Sequence, residues 1–115
     1  MSSNEIAKQS EIKVQVSLNN EKHPVQILWS AEDSGLAGTK ESKAMMLAFW
    51  DKLEKSTMRI DLWTTEMTVE EMQFFTYEIL RSMADSYERS TSDKDLSKEI
   101  REFATKFGKS AKVLK

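Results

Sequence analysis

The sequence contains no cysteine, and this absence removes several kinds of chemistry at once. Disulfide bridges, a thiol nucleophile and cysteine-ligated zinc or iron–sulfur sites are all excluded. His23 is the only histidine, so it has no second ligand of its own kind. It lies in a predicted turn between Lys22 and Pro24, where a solvent-facing side chain is the usual outcome. We therefore expect no metal site at this residue.

Long apolar runs are also missing. No run approaches the roughly 20 residues that a membrane-spanning helix needs. The start, MSSNEIAKQS, has neither the basic region nor the apolar region of a secretory signal. The 17 basic and 19 acidic residues give a net charge of −2, which favours no nucleic-acid partner. We expect a soluble, cytoplasmic protein that does not insert into a membrane.

The sequence has few candidate catalytic residues. It has no glycine-rich phosphate loop and no serine in a nucleophile elbow. Two pairs of adjacent carboxylates occur, Glu32/Asp33 in a predicted loop and Glu70/Glu71 in a predicted first helical turn. Acidic residues are common in a first turn because they interact favourably with the helix dipole. We predict no catalytic residue, no cofactor and no enzymatic activity.

The first ordered region is predicted to be a β-hairpin. Residues 11–18 alternate apolar and polar side chains, which is typical of a half-buried strand. The segment 19–23 contains turn formers, and residues 24–30 alternate again. Pairing Leu18 with Val25 places Val16 beside Ile27 and Val14 beside Trp29, so that the apolar faces coincide. Residues 31–42, which hold two of the three glycines, are predicted to form a loop.

The stretch AMMLAFW at residues 44–50 can be a buried helix turn or a strand. We favour a strand that forms a second hairpin with residues 57–63, with Trp50 opposite Thr57. Phe49–Met58, Leu47–Ile60 and Met45–Leu62 then become neighbours on a core face. The alternative helix remains open because methionine, alanine and leucine are good helix formers.

The second face of this hairpin is unusually apolar for a sheet face that points away from a core. It holds two tryptophans with an arginine and an aspartate between them. We predict a protein interface at Met46, Trp50, Arg59, Asp61 and Trp63, because tryptophan and arginine are enriched where interfaces carry their binding energy. The alternative is that the second helix or the 31–42 loop covers the tryptophans.

Two helices follow the strands. Thr68 and Glu71 have the spacing of a capping box, and the helix that begins there is predicted to run to about Arg89. Its apolar stripe consists of Met72, Phe75, Ile79, Met83 and Tyr87, widened by Phe74 and Leu80. Ser92 or Asp93 is predicted to cap a second helix, whose narrower stripe holds Leu96, Ile100, Phe103 and Phe107. Gly108 is predicted to end that helix as its C′ residue.

The predicted fold class is α+β. It consists of a four-stranded antiparallel sheet, made of two hairpins, and two C-terminal helices packed on that sheet. Residues 1–10 are predicted to be a flexible N-terminus, residues 11–108 a single domain and residues 109–115 a basic tail. The tail holds Lys109, Lys112 and Lys115.

Three blocks of this sequence resemble the gliding motility-associated protein GldC family of Bacteroidetes. They are SEIKVQVSL…VQILWSAED, SKAMMLAFWDKLEKSTMRIDLWTTEM and FTYEILRSMADSYERST, within residues 9–107. The resemblance implies a small, soluble, cytoplasmic accessory protein that is linked to the gliding machinery and is not similar to an enzyme. The face that holds Trp50 and Trp63 adds the expectation of an adaptor, whose partner is a protein of that machinery or a second copy of the chain, as a homodimer. A small acidic chaperone for an exported or assembling client is the alternative function.

Overall fold

The computed structural model describes residues 4–114, which form two compact units with the boundary between Met67 and Thr68. The first unit contains all of the strands and the second contains both helices. Residues 1–3 of the predicted flexible N-terminus, and Lys115 of the predicted basic tail, lie outside the described residues. The predicted boundaries at residues 10 and 108 stay predictions.

The predicted α+β class is confirmed, with antiparallel strands followed by two C-terminal helices. The structure has five strands in two sheets, one strand more than the predicted single four-stranded sheet. The bounds of the elements are β1 Ile12–Leu18, β2 Pro24–Ala31, β3 Lys40–Ser42, β4 Ala44–Trp50, β5 Thr57–Trp63, α1 Val69–Thr91 and α2 Lys94–Ser110. The packing of the helices on the sheet stays a prediction.

The register of the β1–β2 hairpin follows the alternation of its side chains. Val14 pairs with Trp29 and Val16 pairs with Ile27, as predicted. Leu18, however, pairs with Pro24 rather than with Val25, because the register shifts at the end of β1. The Asn19 side chain accepts hydrogen bonds from the backbone N–H groups of Glu21 and His23 at 2.9 and 3.0 Å, which closes the turn.

The short strand β3 lies inside the segment that was predicted to be a loop. It pairs antiparallel with β2, with Ile27 opposite Ser42 and Trp29 opposite Lys40. The Trp29 indole N–H donates a hydrogen bond of 2.9 Å to the Ser42 hydroxyl, which ties the two strands by their side chains as well. Ile27 is only 1% exposed and is the largest apolar side chain buried in this unit. The polar sequence Lys-Glu-Ser gives no strand signal, so long-range pairing alone sets β3.

Lys43 separates β3 from β4, so one stretch of chain serves both sheets. The Thr64 N–H donates to the Lys43 carbonyl at 2.7 Å, and the Thr65 N–H donates to the Pro24 carbonyl at 3.1 Å. These two bonds hold the end of β5 close to the start of β2. Thr64 is 3% exposed at this junction.

The second unit is a helical hairpin with well-formed caps. The predicted capping box is confirmed, since the Thr68 hydroxyl accepts from the Glu71 N–H and the Glu71 carboxylate accepts from the Thr68 N–H, each at 3.1 Å. Asp93 is the N-cap of α2, and its side chain accepts from the Leu96 N–H at 3.0 Å. The bond satisfies one of the backbone donors that a helix start leaves unpaired.

Gly108 does not end α2, and this prediction was wrong. The helix continues to Ser110, and Gly108 is buried inside it. A Cβ atom added there would lie 2.8 Å from Tyr77 Cε1 and 2.8 Å from Leu114 Cδ1. Glycine is therefore needed for a close approach of side chains, and no left-handed backbone conformation is involved.

The buried contacts of the helical unit are made mostly by small residues. The buried positions in the two helices are Tyr77, Ala84, Ser97, Ala104 and Gly108. Several members of the predicted apolar stripes are instead exposed, among them Met83 at 48%, Leu96 at 48% and Phe103 at 55%. Small side chains let two helices approach closely. The two helices therefore contact each other mainly through these small residues, and the large apolar residues lie beside the contact.

Candidate functional site

The β4–β5 hairpin holds all five residues of the predicted interface. Its ladder has the predicted register, with Trp50 opposite Thr57, Phe49 opposite Met58 and Leu47 opposite Ile60. Successive side chains alternate between the two faces of a strand. One face, here called the tryptophan face, consists of residues 44, 46, 48, 50, 57, 59, 61 and 63. The other, called the methionine face, consists of residues 45, 47, 49, 58, 60 and 62.

A side-chain turn closes this hairpin. The Asp51 carboxylate accepts hydrogen bonds from the N–H groups of Leu53 and Glu54 at 3.1 and 2.7 Å. Lys55 adopts a left-handed conformation with φ of 51°, which reverses the chain before β5. The Asp51 N–H then donates to the Ser56 carbonyl at 2.9 Å and starts the ladder. The turn thereby fixes which residues share a face.

The tryptophan face brings the five predicted residues together as a strip. Met46 is half-buried and stands opposite Asp61, next to the pair of Ala48 and Arg59. Trp50 is 69% exposed at one end of the strip, and Trp63 is 57% exposed at the other. Six residues of strand separate their rows, which corresponds to about 20 Å. The two indoles are therefore separate anchors rather than one cluster.

A bidentate ion pair occupies the middle of the strip. Arg59 Nε and Nη2 donate to the two carboxylate oxygens of Asp61 at 3.0 and 2.9 Å. The hydrogen bond and the charge of Asp61 raise the pKa of the Arg59 guanidinium further above its usual value. The side chains are 48% and 35% exposed, so the pair contributes little to stability. Its planar geometry presents one positive and one negative charge at defined positions.

The methionine face differs from the prediction that it forms a core. Phe49 is 56% exposed, Met58 57% and Ile60 50%. Met45, Leu47 and Leu62 are half-buried, and neither strand of the hairpin has a fully buried residue. The alternation correctly identified the residues of each face, but it carries no information about which face is covered. The hairpin therefore exposes apolar side chains on both sides.

The helical unit offers a second apolar surface that was not predicted as a site. A groove of about 520 Å³ lies between α1 and α2. Its lining consists of Leu80, Met83, Tyr87, Leu96, Glu99, Ile100 and Phe103. Most of these residues belong to the predicted apolar stripes. The stripes therefore line the groove, because the two helices contact each other through smaller residues.

Beside this groove, charged side chains link the two helices. Arg101 donates to Asp85 at 2.8 Å and to Glu88 at 2.9 Å. These hydrogen bonds lower the pKa of both carboxyl groups, and a bond from the Ser97 hydroxyl contributes at Glu88. The pKa of Asp93 is lowered first by the bond from the Leu96 N–H. Each of these groups has a structural partner, which explains the shift without a catalytic role.

The other candidates for chemistry also have structural explanations. The His23 ring is exposed in its turn, with Nδ1 3.8 Å from a Glu21 carboxylate oxygen. Asp33 pairs with Lys8 at 2.9 Å, and this hydrogen bond is the main cause that lowers the pKa of Asp33. Within residues 4–114, no group of three or more His, Asp or Glu side chains could hold a metal ion. Over the same range, no helix is long and apolar enough to cross a membrane.

Comparison with known proteins gives one family match. The family model for GldC-like gliding motility-associated proteins matches residues 24–113, which is most of the chain. No curated protein and no solved structure matches the sequence significantly. The match begins at β2 and includes the whole of the β4–β5 hairpin and both helices. The chain therefore belongs to the GldC-like family of gliding motility-associated proteins.

Proposed function

We propose that the chain is a non-enzymatic, cytoplasmic adaptor of the gliding motility machinery, which binds a protein partner through the tryptophan face. Membership of the GldC-like family supports the link to motility. The observation that carries the binding role is the exposure of Trp50 and Trp63 at 69% and 57% on the same sheet face. Tryptophan is enriched among the residues that carry the binding energy of protein interfaces, which supports a partner that covers both side chains.

The energetics of this face fit a partner of limited size. Covering one exposed indole removes on the order of 100 Å² from water, which is worth about 2–3 kcal/mol. Two such anchors about 20 Å apart fit the dimensions of a standard protein interface. The Arg59–Asp61 pair between them supplies charge of both signs, which orients a partner more than it strengthens binding.

A tagged pull-down from gliding cells with mass spectrometry tests this proposal. The wild-type chain is expected to recover one dominant motility protein, and Trp63→Glu is expected to lose it. Leu53→Glu is the matched control, because Leu53 is 88% exposed in the turn of the same hairpin but lies outside the tryptophan face. Retention of the same protein by Trp63→Glu would contradict the proposal. Loss of the far-ultraviolet circular dichroism of Trp63→Glu would show that Trp63 is a core residue.

A second candidate function is a small chaperone for an exported or assembling client. The specific observation in its favour is the amount of unpaired apolar surface, on the methionine face and in the groove between α1 and α2. Chaperone activity predicts suppression of the aggregation of an adhesin segment, and recovery of many unrelated proteins in the pull-down. Phe103→Glu, in the groove, is expected to reduce that suppression while Trp63→Glu leaves part of it. Recovery of a single partner would favour the adaptor.

A further inference from the structure

The outer edge of β5 is an unpaired strand edge. In the part of the chain that the structure describes, β5 has β4 as its only strand neighbour. Just beyond the two ends of this ladder, the Thr64 N–H donates to the Lys43 carbonyl and the Asp51 N–H donates to the Ser56 carbonyl. Backbone groups alternate in direction along an antiparallel ladder. Even-numbered residues of β5 therefore point their N–H and C=O toward β4, and odd-numbered residues point them outward.

The two central residues of that outer edge carry opposite charges. Arg59 and Asp61 both present their N–H and C=O groups outward, and Ile60 lies between them. Met58 and Leu62 flank this triplet symmetrically. An antiparallel copy of the same segment, centred on Ile60, thus places arginine opposite aspartate twice and Met58 opposite Leu62 twice.

We propose that two copies of this chain associate through the β5 edge, as an antiparallel pair with Ile60 on the twofold axis. Each Arg59 then stands opposite the Asp61 of the second copy, and these pairs exchange their N–H···O=C bonds. The Ile60, Met58 and Leu62 side chains form apolar cross-strand pairs on the methionine face. The self-complementary contact is of the isologous kind that closes a dimer.

The charges select this register against its neighbours. A slip by one residue would oppose outward backbone groups with inward ones and break the hydrogen-bond pattern. A shift to the next allowed register would place Arg59 opposite Arg59, or Asp61 opposite Asp61, and like charges directly opposite destabilise a sheet. The strand β4 has no charged side chain between Ala44 and Trp50, so charge pairs could not fix the register of a copy that paired with its outer edge.

The pairing would also stabilise the β4–β5 hairpin. A two-stranded sheet is marginally stable, whereas four strands in one sheet are sufficient for an independent structure. Two β4–β5 hairpins joined at β5 form such a sheet, in the order β4–β5–β5–β4. The intrachain ion pair becomes part of a group of four alternating charges. This inference does not depend on the proposed function, because the contact is made along the strand edge and its test needs only the isolated chain, although Arg59 and Asp61 also belong to the tryptophan face.

Charge exchange tests the register. The full chain is expected to sediment at twice the 13.3 kDa mass of one chain. Arg59→Asp and Asp61→Arg each place like charges opposite each other, and each is expected to weaken association roughly tenfold or more. An equimolar mixture of the two variants restores opposite charges across the interface and is expected to form a heterodimer. Because neither variant keeps the intrachain pair, rescue on mixing reports only the contact between copies.

Single cysteines locate the axis, since the natural chain has none to compete. Ile60→Cys is expected to crosslink to its own copy under mild oxidation, because a non-hydrogen-bonded pair brings the Cα atoms to about 4.5 Å, within disulfide range. Arg59→Cys and Asp61→Cys stand opposite other residues and are expected to crosslink at least tenfold more slowly. A wild-type chain that stays monomeric at all concentrations, a dimer that survives both charge variants, or faster crosslinking at position 59 or 61 would overturn the proposal.

Discussion

The α1–α2 hairpin buries more of its own residues and makes more of its own stabilising contacts than the β4–β5 hairpin does. The helical hairpin buries five residues, caps both helix starts with side chains and links its helices through Arg101. The β-hairpin buries no residue fully, and its ion pair lies within one strand. The helices thus obtain much of their stability from each other, while the strands leave surface for something else to cover.

This contrast bears on the proposed binding role of the β4–β5 hairpin. A helix satisfies its backbone hydrogen bonds internally, so two helices need only a close line of contact. A strand satisfies half of its backbone groups with each neighbour, and β5 has one neighbour in the described residues. Exposed apolar faces and an open edge occur together in the hairpin that carries the two exposed tryptophans. The contrast supports the proposal that the chain binds its partner through the β4–β5 hairpin, while the helical hairpin contributes stability.

Within these two hairpins, the largest expected effect comes from filling the closest contact of the helical hairpin. Gly108→Val puts a branched side chain where a single Cβ would already lie 2.8 Å from the Tyr77 ring. Overpacking of this kind costs about 1–3 kcal/mol of unfolding free energy. Chemical denaturation followed by circular dichroism at helical wavelengths measures the loss.

Lys106→Val is the matched control for this variant. Lys106 is exposed in the same helix, so the substitution introduces valine without a steric clash. It lowers the intrinsic helix propensity, whereas Gly108→Val raises it, so a larger loss at Gly108 cannot come from propensity. We expect a loss below about 0.7 kcal/mol at Lys106, which is the range of intrinsic helix propensity. Equal losses at both positions would show that the contact of Gly108 with Tyr77 is not a close one.

Acid is expected to weaken the helical hairpin next. The pKa values of Asp85, Glu88 and Asp93 are lowered in the folded state, so these carboxylates stabilise the fold at neutral pH. Their contribution is fully present above the ordinary pKa values of 3.8 for aspartate and 4.5 for glutamate. It is lost as pH falls through the lowered folded values. The melting temperature should therefore stay level from neutral pH down to about 5 and then fall.

Arg101→Gln separates this effect from general acid denaturation. Without the guanidinium, Asp85 and Glu88 lose the main cause of their lowered pKa values. The variant should melt below the wild type at neutral pH, and the difference should shrink as the pH falls below 4. Arg89→Gln is the control, because Arg89 donates its hydrogen bond to the Ser86 hydroxyl and its charge is only the smallest of the causes that lower the pKa of Asp85. A difference that is constant with pH would rule out the carboxylates as the source.

The alternation of side chains was sufficient to predict the register of both hairpins almost completely. Period two specifies which residues share a face, and each turn has local side-chain signals at Asn19 and Asp51. Strand β3 was missed because its polar residues acquire strand structure only from pairing with β2. The helix contact was missed because alanine, serine and glycine do not stand out in a search for large apolar stripes. Local patterns predict elements, and long-range contacts decide their partners.

The candidate site was predictable to a similar extent. Apolar residues on both faces of AMMLAFW and TMRIDLW identified the hairpin as unusual, and the tryptophan face was located by residue number. Which face would be covered could not be predicted, because burial depends on what packs against a sheet. The methionine face was predicted to be part of the core, and this prediction was wrong for Phe49, which is 56% exposed.

The smallest expected effect sharpens the same point. Phe49→Thr removes an aromatic ring from the methionine face but keeps a residue that favours strands. Since the ring is 56% exposed, the loss of unfolding free energy should be about 1 kcal/mol or less. Ile27→Thr, at a position 1% exposed, should cost roughly 2–4 kcal/mol because it leaves a cavity and buries a hydroxyl. Urea unfolding of both variants gives the comparison. A Phe49→Thr loss as large as that of Ile27→Thr would mean that the methionine face is covered in solution, and the β4–β5 hairpin would then be as complete as the helical one.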